Sequence, residues 1–150
     1  IGAVHETSGA GHSQQNGRAE KCIQDVMYDI RTALHDVCLS LNLWAEALQY
    51  VVYTKNRLPN FANPDLASPY FMRYQQHPDY RQMHAFGQKA TVMFPKKKSP
   101  NGSVGAKAML GAFVGYEDAD GTRAYRIYIP ATKTITISAH VTFLDEATTP

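Results

Sequence analysis

Two cysteines in 150 residues, Cys22 and Cys38, exclude a disulfide-stapled secreted scaffold. A reduced, intracellular compartment fits instead. No apolar run approaches the ~20 residues needed to cross a bilayer as a helix, so no membrane partner is expected. No charged-then-apolar leader opens the chain, which starts on Ile1. A first residue other than Met is compatible with a piece cut from a longer polypeptide, though a processed product would look the same. Internal repeats, glycine-rich phosphate loops and nucleophile–base pairings are all lacking. Acid is missing from one long stretch: residues 81–107 hold six bases (Arg81, Lys89, Lys96, Lys97, Lys98, Lys107) and no Asp or Glu. Elsewhere nine bases face thirteen acids, so the formal net charge of +2 conceals a local imbalance suited to a polyanion.

What is present is enough to fold. The chain is 44% hydrophobic and 19% charged, and its length suits one ordinary domain or two small ones. Asn16-Gly17 is a strong turn dipeptide with a helical pattern directly behind it. Glu20 therefore falls in the first turn, where the helix dipole favours a carboxylate, a suitable ligand for a hard cation such as Mg²⁺. From Arg18 to about Leu39 the apolar residues Ile23, Val26, Met27, Ile30, Leu34, Val37 and Cys38 recur at three- and four-residue steps, predicting a helix with one buried stripe. After a break around residues 40–42, a second helix is predicted from about Leu43 to Arg57, ended by Leu58-Pro59. Pro69 suits the start of a short helix. Beyond Gly87 the period becomes two, predicting strands at Lys89–Phe94, Ala108–Tyr116, Ala124–Ile129, Thr134–Ser138 and His140–Leu144. Five short strands in about sixty residues fit a small barrel.

Each chemical candidate has a plain structural alternative. Glu20 taken alone reads as a helix-start acid. Asp25 and Asp29 share a helix face with Lys21, which fits a solvated face supported by a Lys21–Asp25 pair better than a cation site. His35 and Cys38 have a spacing that metal sites sometimes use, but no two further ligands stand near them. Lys96-Lys97-Lys98 reads as a loop tip. It is either solvated, in contact with DNA phosphates, or used in nuclear import. Trp44 and the strand tyrosines read as core rather than as base-stacking platforms.

Three stretches, in order, carry a family resemblance. The first is Gly2, His5, Thr7 and Gln14-Gln15-Asn16-Gly17-Arg18-Ala19-Glu20-Lys21. The second is Trp44-Ala45-Glu46-Ala47, Asn56-Arg57-Leu58-Pro59 and Ser68-Pro69-Tyr70. The third is His84-Ala85-Phe86-Gly87, Gly111-Ala112-Phe113-Val114-Gly115-Tyr116, Tyr125-Arg126-Ile127-Tyr128 and Val141-Thr142-Phe143-Leu144-Asp145-Glu146. Together they resemble the integrase of copia-type retrotransposons. His12-Ser13 departs from the family's usual Thr or Ser followed by Pro, and Lys21 from its common Arg.

The resemblance implies a ribonuclease-H-like core in which two Asp and one Glu hold a pair of Mg²⁺ (or Mn²⁺) ions for DNA strand transfer. Only Glu20 maps onto this chain as a catalytic and metal-ligating residue. Both Asp residues, and the family's zinc-binding region, are expected before Ile1. The expected fold is α+β: residues 1–59 as the helical C-terminal end of the core, 60–86 as a connector, and 87–146 as an SH3-like antiparallel β-barrel. Lys89, Lys96, Lys97, Lys98 and Lys107 are the expected nucleic-acid contacts. DNA and the N-terminal part of the core are the expected partners, with self-association through the helix's apolar stripe a further prospect. The location implied is nuclear when acting on DNA, and this portion alone is expected to be inactive. The competing expectation is a transposon-derived, non-catalytic module that binds protein or nucleic acid.

Overall fold

The structure, a computed structural model, describes residues 17–93, 108–119 and 122–144. Helix α1 spans Gly17–Asp36, with Glu20 in its first turn and His35 in its last, matching the sense of the helix dipole. It stops where Cys38 adopts a left-handed conformation (φ 51°). There the Cys38 N–H reaches the His35 carbonyl and the Leu39 N–H the Leu34 carbonyl, so the last carbonyls are satisfied. A single 3₁₀ turn capped by Ser40 leads into α2, Trp44–Arg57. Pro59 forces Leu58 into an extended conformation and ends α2. Helix α3, Pro69–Tyr74, starts on the Ser68 hydroxyl, which accepts from the Phe71 N–H at 3.1 Å.

The five expected strands form β1 (Lys89–Met93), β2 (Ala108–Ala119), β3 (Thr122–Ile129), β4 (Thr134–Ser138) and β5 (Val141–Phe143). They make one antiparallel sheet in the order β4-β3-β2-β1-β5, so the fold is α+β.

Both faces of this sheet are covered. On the inner face Ala90, Val92, Phe113, Ile127 and Ile129 are buried together, with Tyr125, Val141 and Phe143 packed around them. On the outer face Val114, Tyr128 and Ile135 join Ile30 and Leu34 of α1, Ala47 and Val51 of α2, and Phe86. Adjacent residues Phe113 and Val114 thus belong to different cores, which is why this segment is apolar without interruption. The register shifts between Phe113 and Gly115 opposite Arg126. That extra residue lets Phe113 and Tyr116 both turn inward, where their rings meet edge to face at 4.9 Å.

Gly87 (φ +79°) sits where the helical half meets the sheet. Its N–H donates to the Phe113 carbonyl at 2.7 Å, and a Cβ there would collide with the Val37 side chain at the end of α1. The left-handed backbone and the Val37 side chain together exclude a larger residue here.

The stripe predicted for α1 is only half buried. Ile30 and Leu34 are covered, whereas Ile23 is 63% and Met27 42% exposed. The sheet and α2 cover the C-terminal half of the helix, and the N-terminal half projects past them. Trp44 corrects the expectation of a core residue: it is 58% exposed at the first position of α2, and Ala47 and Val51 hold the buried face.

Candidate functional site

Glu20 is exposed in the first turn of α1, and among the described residues it has no hydrogen bond or ion pair. Its neighbour Lys21 is turned to Asp25 at 2.6 Å, the pair expected from their spacing. Asp29 is held by Lys55 of α2 at 2.7 Å. These pairs leave Glu20 as the acid of the projecting half of α1 that points into solvent unpaired. Sixteen residues at about 1.5 Å each place it roughly 24 Å from the C-terminal end of α1, where the helix meets the sheet. Among the described residues no three His, Cys, Asp or Glu side chains come close enough to hold a metal ion. The described residues therefore do not by themselves fit a pair of divalent cations, and among them His35 and Cys38 gain no further ligand.

Lys89 is exposed at the first position of β1, and its carbonyl accepts from the Leu144 N–H at 2.9 Å. Lys96, Lys97, Lys98 and Lys107 lie outside the described residues. They belong to the segment that joins Met93 to Ala108, which pair at the far end of β1 and β2. Four residues of strand, about 13 Å, separate Lys89 from that end. Of the other base in the acid-free stretch, Arg81 is exposed in a 3₁₀ turn capped by Asp79.

The centre of the molecule is a polar and aromatic clasp between α2 and the sheet. Arg126 of β3 donates from Nε and Nη2 to both carboxylate oxygens of Glu46 (2.7 and 2.8 Å), and from Nη1 to Glu117 of β2 (2.6 Å). The Arg126 and Glu46 side chains are 19% and 13% exposed. The Glu46 bonds raise the guanidinium's pKa above its ordinary value, outweighing the opposing effect of burial. Beside it Tyr53 of α2 stacks on Tyr116 of β2 at 3.9 Å, and the Arg57 guanidinium lies over the Tyr53 ring. The Tyr116 hydroxyl accepts from the His84 N–H at 2.9 Å, and the Tyr50 hydroxyl donates to the His84 carbonyl at 3.2 Å. Burial pushes the Tyr116 phenol up to about 12. The His84 ring stacks on Phe143 at 3.5 Å, and burial lowers its pKa against the raising effect of a Gln88 hydrogen bond.

Sequence reasoning did not single out this clasp, although Glu46 and Arg126 both fall within the quoted motifs. The available signal was local. Glu46 stands beside Ala47 on the packed side of α2, and Arg126 interrupts an aromatic and branched strand. A groove of about 420 Å³ opens between α1 and α2. It is lined by Ala33, Val37, Val51, Leu58 and Phe86, with the Asp29–Lys55 pair at its rim.

Comparison with known proteins agrees with this architecture. Residues 88–150 match the family described as "Retroviral polymerase SH3-like domain". The chain is 28% identical over 142 residues to the "Retrovirus-related Pol polyprotein from transposon TNT 1-94" of Nicotiana tabacum, which covers 95% of this chain. The chain spans 10% of that relative's length. No solved structure matches the chain. A helical half locked to an SH3-like sheet, the SH3-like family match and the Pol polyprotein likeness together support a copia-type integrase region of a retrotransposon Pol polyprotein as what this chain resembles.

Proposed function

We propose that this chain serves DNA integration as the C-terminal part of a retrotransposon integrase. Glu20 supplies one carboxylate of an acidic cluster, and the lysines of the SH3-like half engage DNA phosphates. The observation that carries this reading is the solvent-facing, unpaired Glu20 on a helix whose apolar stripe, Ile23 and Met27, runs on uncovered beside it. Such a surface suits the remaining part of a catalytic core, which would bury the stripe and bring further acids to Glu20. The Mg²⁺ or Mn²⁺ ions belong to that assembled core, because one carboxylate binds Mg²⁺ too weakly to hold it. The chain's own contributions are then one ligand, a docking face and a basic module. The work is nuclear in this reading, where the DNA is.

Phosphate contacts by Lys89, Lys96, Lys97, Lys98 and Lys107 fix position without reading sequence. The test is the affinity of the 150-residue chain for duplex DNA between about 50 and about 200 mM salt. Binding is expected to weaken linearly on a log–log plot. Changing Lys96, Lys97 and Lys98 together to Ala is expected to reduce the slope by up to about 3. Absence of binding at low salt, or a slope indifferent to the triple change, overturns the DNA reading and leaves a non-catalytic interaction module.

A further inference from the structure

β4 is an edge strand, and among the described residues nothing pairs with its outer side. Exposed edges are ordinarily blunted by a charge, a proline or a bulge, because a bare ladder of N–H and C=O groups recruits other strands. Thr134-Ile135-Thr136-Ile137-Ser138 has none of these, and its five residues pair with β3 without a register shift. β5, the other edge, is only three residues long. Ile137 is 52% exposed, on the same face of the sheet as Ile135 and opposite Arg126 of β3.

The strand is also self-complementary. When two copies run antiparallel about a two-fold axis at Thr136, Thr136 meets itself, Ile135 meets Ile137, and Thr134 meets Ser138. Both isoleucine pairs then lie on one face, continuing the apolar surface that Tyr128 and Ile135 form against the helices. The Thr and Ser side chains lie together on the other face, where cross-strand hydroxyl pairs are favourable. Lys133 falls opposite Ala139, so no like charges oppose. Moving the axis to Ile135 sets Lys133 against Ile137, and any slip by a single residue sets Ile against Thr. The register centred on Thr136 satisfies all of these at once.

We propose that β4 is a homotypic docking edge through which two copies of this chain join their sheets into one continuous ten-stranded antiparallel sheet, with Thr136 on the two-fold axis. The inference is independent of the metal and DNA reading. Five paired residues a side make a small interface, so the association depends on concentration.

The test uses the full chain. Sedimentation equilibrium is expected to show the mass rising from 16.7 kDa toward twice that value with concentration, and Ile137→Lys is expected to hold it at the monomer. A second measurement covers the case in which Ile137→Lys fails to fold. With Cys22 and Cys38 changed to Ser, Thr136→Cys is expected to form an intermolecular disulfide on mild oxidation, because a residue on the two-fold axis faces its own copy at a Cα separation of about 4.5–5.5 Å, within the span of a disulfide. Thr134→Cys, facing Ser138, is expected to remain uncrosslinked. A Thr136→Cys chain that stays monomeric under oxidation overturns the proposal. So does equal cross-linking at Thr134, or a dimer that folded Ile137→Lys leaves intact, which would point to the Ile23–Met27 stripe instead.

Discussion

Arg126 and Glu46 meet through two parallel N–H···O bonds, joining the second strand of the SH3-like hairpin to the helical half across eighty residues of sequence. The planar guanidinium suits this fork, and a lysine would not replace it. Glu117 holds the remaining Arg126 nitrogen, so the cation is satisfied from both sides of the junction. The pair thereby fixes α2 against the sheet, and α2 in turn packs on α1, the helix that carries Glu20.

Breaking that pair is expected to cost more than a surface ion pair would. Glu46→Ala leaves a mostly buried guanidinium with one carboxylate, and should destabilise the chain by about 2–3 kcal/mol. Urea unfolding of Glu46→Ala, Arg126→Ala and the double variant forms a cycle in which a coupling energy of roughly 1–3 kcal/mol is expected. Strict additivity would mean that this ion pair adds nothing of its own to the joining of the two halves.

Gly87→Ala should destabilise by about 2–4 kcal/mol, from the left-handed backbone and the collision with Val37 together. Adding Val37→Ala removes the two γ-methyl contacts but leaves the Val37 Cβ 2.6 Å away, so it relieves only part of the collision and none of the backbone strain. Gly87→Ala is therefore expected to cost less in the Val37→Ala background than in the native chain, measured as the urea midpoint. An unchanged cost would mean that the γ-methyl contacts contribute nothing to it.

The His84 ring, stacked on Phe143, has its pKa lowered by burial, so folding favours the neutral imidazole. An unfolded histidine titrates near 6.5. The stabilisation is full above that value and is lost as pH falls through the lower, folded pKa, because the unfolded chain takes up the proton first. Denaturation midpoints across pH 5–8 should thus fall toward acid more steeply in the native chain than in His84→Phe, which keeps the stack without the titration. Parallel curves would refute the assignment.

Glu20→Gln tests position rather than packing. The side chain is exposed and unpaired, so the substitution should change stability by less than about 1 kcal/mol, the scale of its interaction with the helix dipole. If the proposed function holds, the same substitution in the full-length polyprotein should abolish strand transfer while leaving DNA affinity intact. A large loss of stability in the 150-residue chain would instead assign Glu20 a structural role.

Much of the secondary structure was legible because local spacing fixes it. The Ile30–Leu34 step in α1, the Leu58-Pro59 stop and the alternation Tyr125-Arg126-Ile127-Tyr128 each report a period or a backbone restriction acting over a few residues. Glu20 was placed at the start of a helix on the same grounds. Trp44 misled because size and apolarity argue for burial, yet burial depends on which face of α2 meets α1 and the sheet. The small Ala47 allows that close approach, leaving Trp44 outside.

The chain's own residues determined which segments are helix and strand, where they turn, where acids are absent, and which integrase-like motifs occur in order. Only the tertiary structure decided that the helices and the sheet share one core, that Arg126 finds Glu46, and that half of the α1 stripe stays uncovered. The physical reason is range. Backbone propensity and hydrophobic period act within a few residues, whereas a guanidinium and a carboxylate eighty positions apart meet only after two packed faces have set the distance between them.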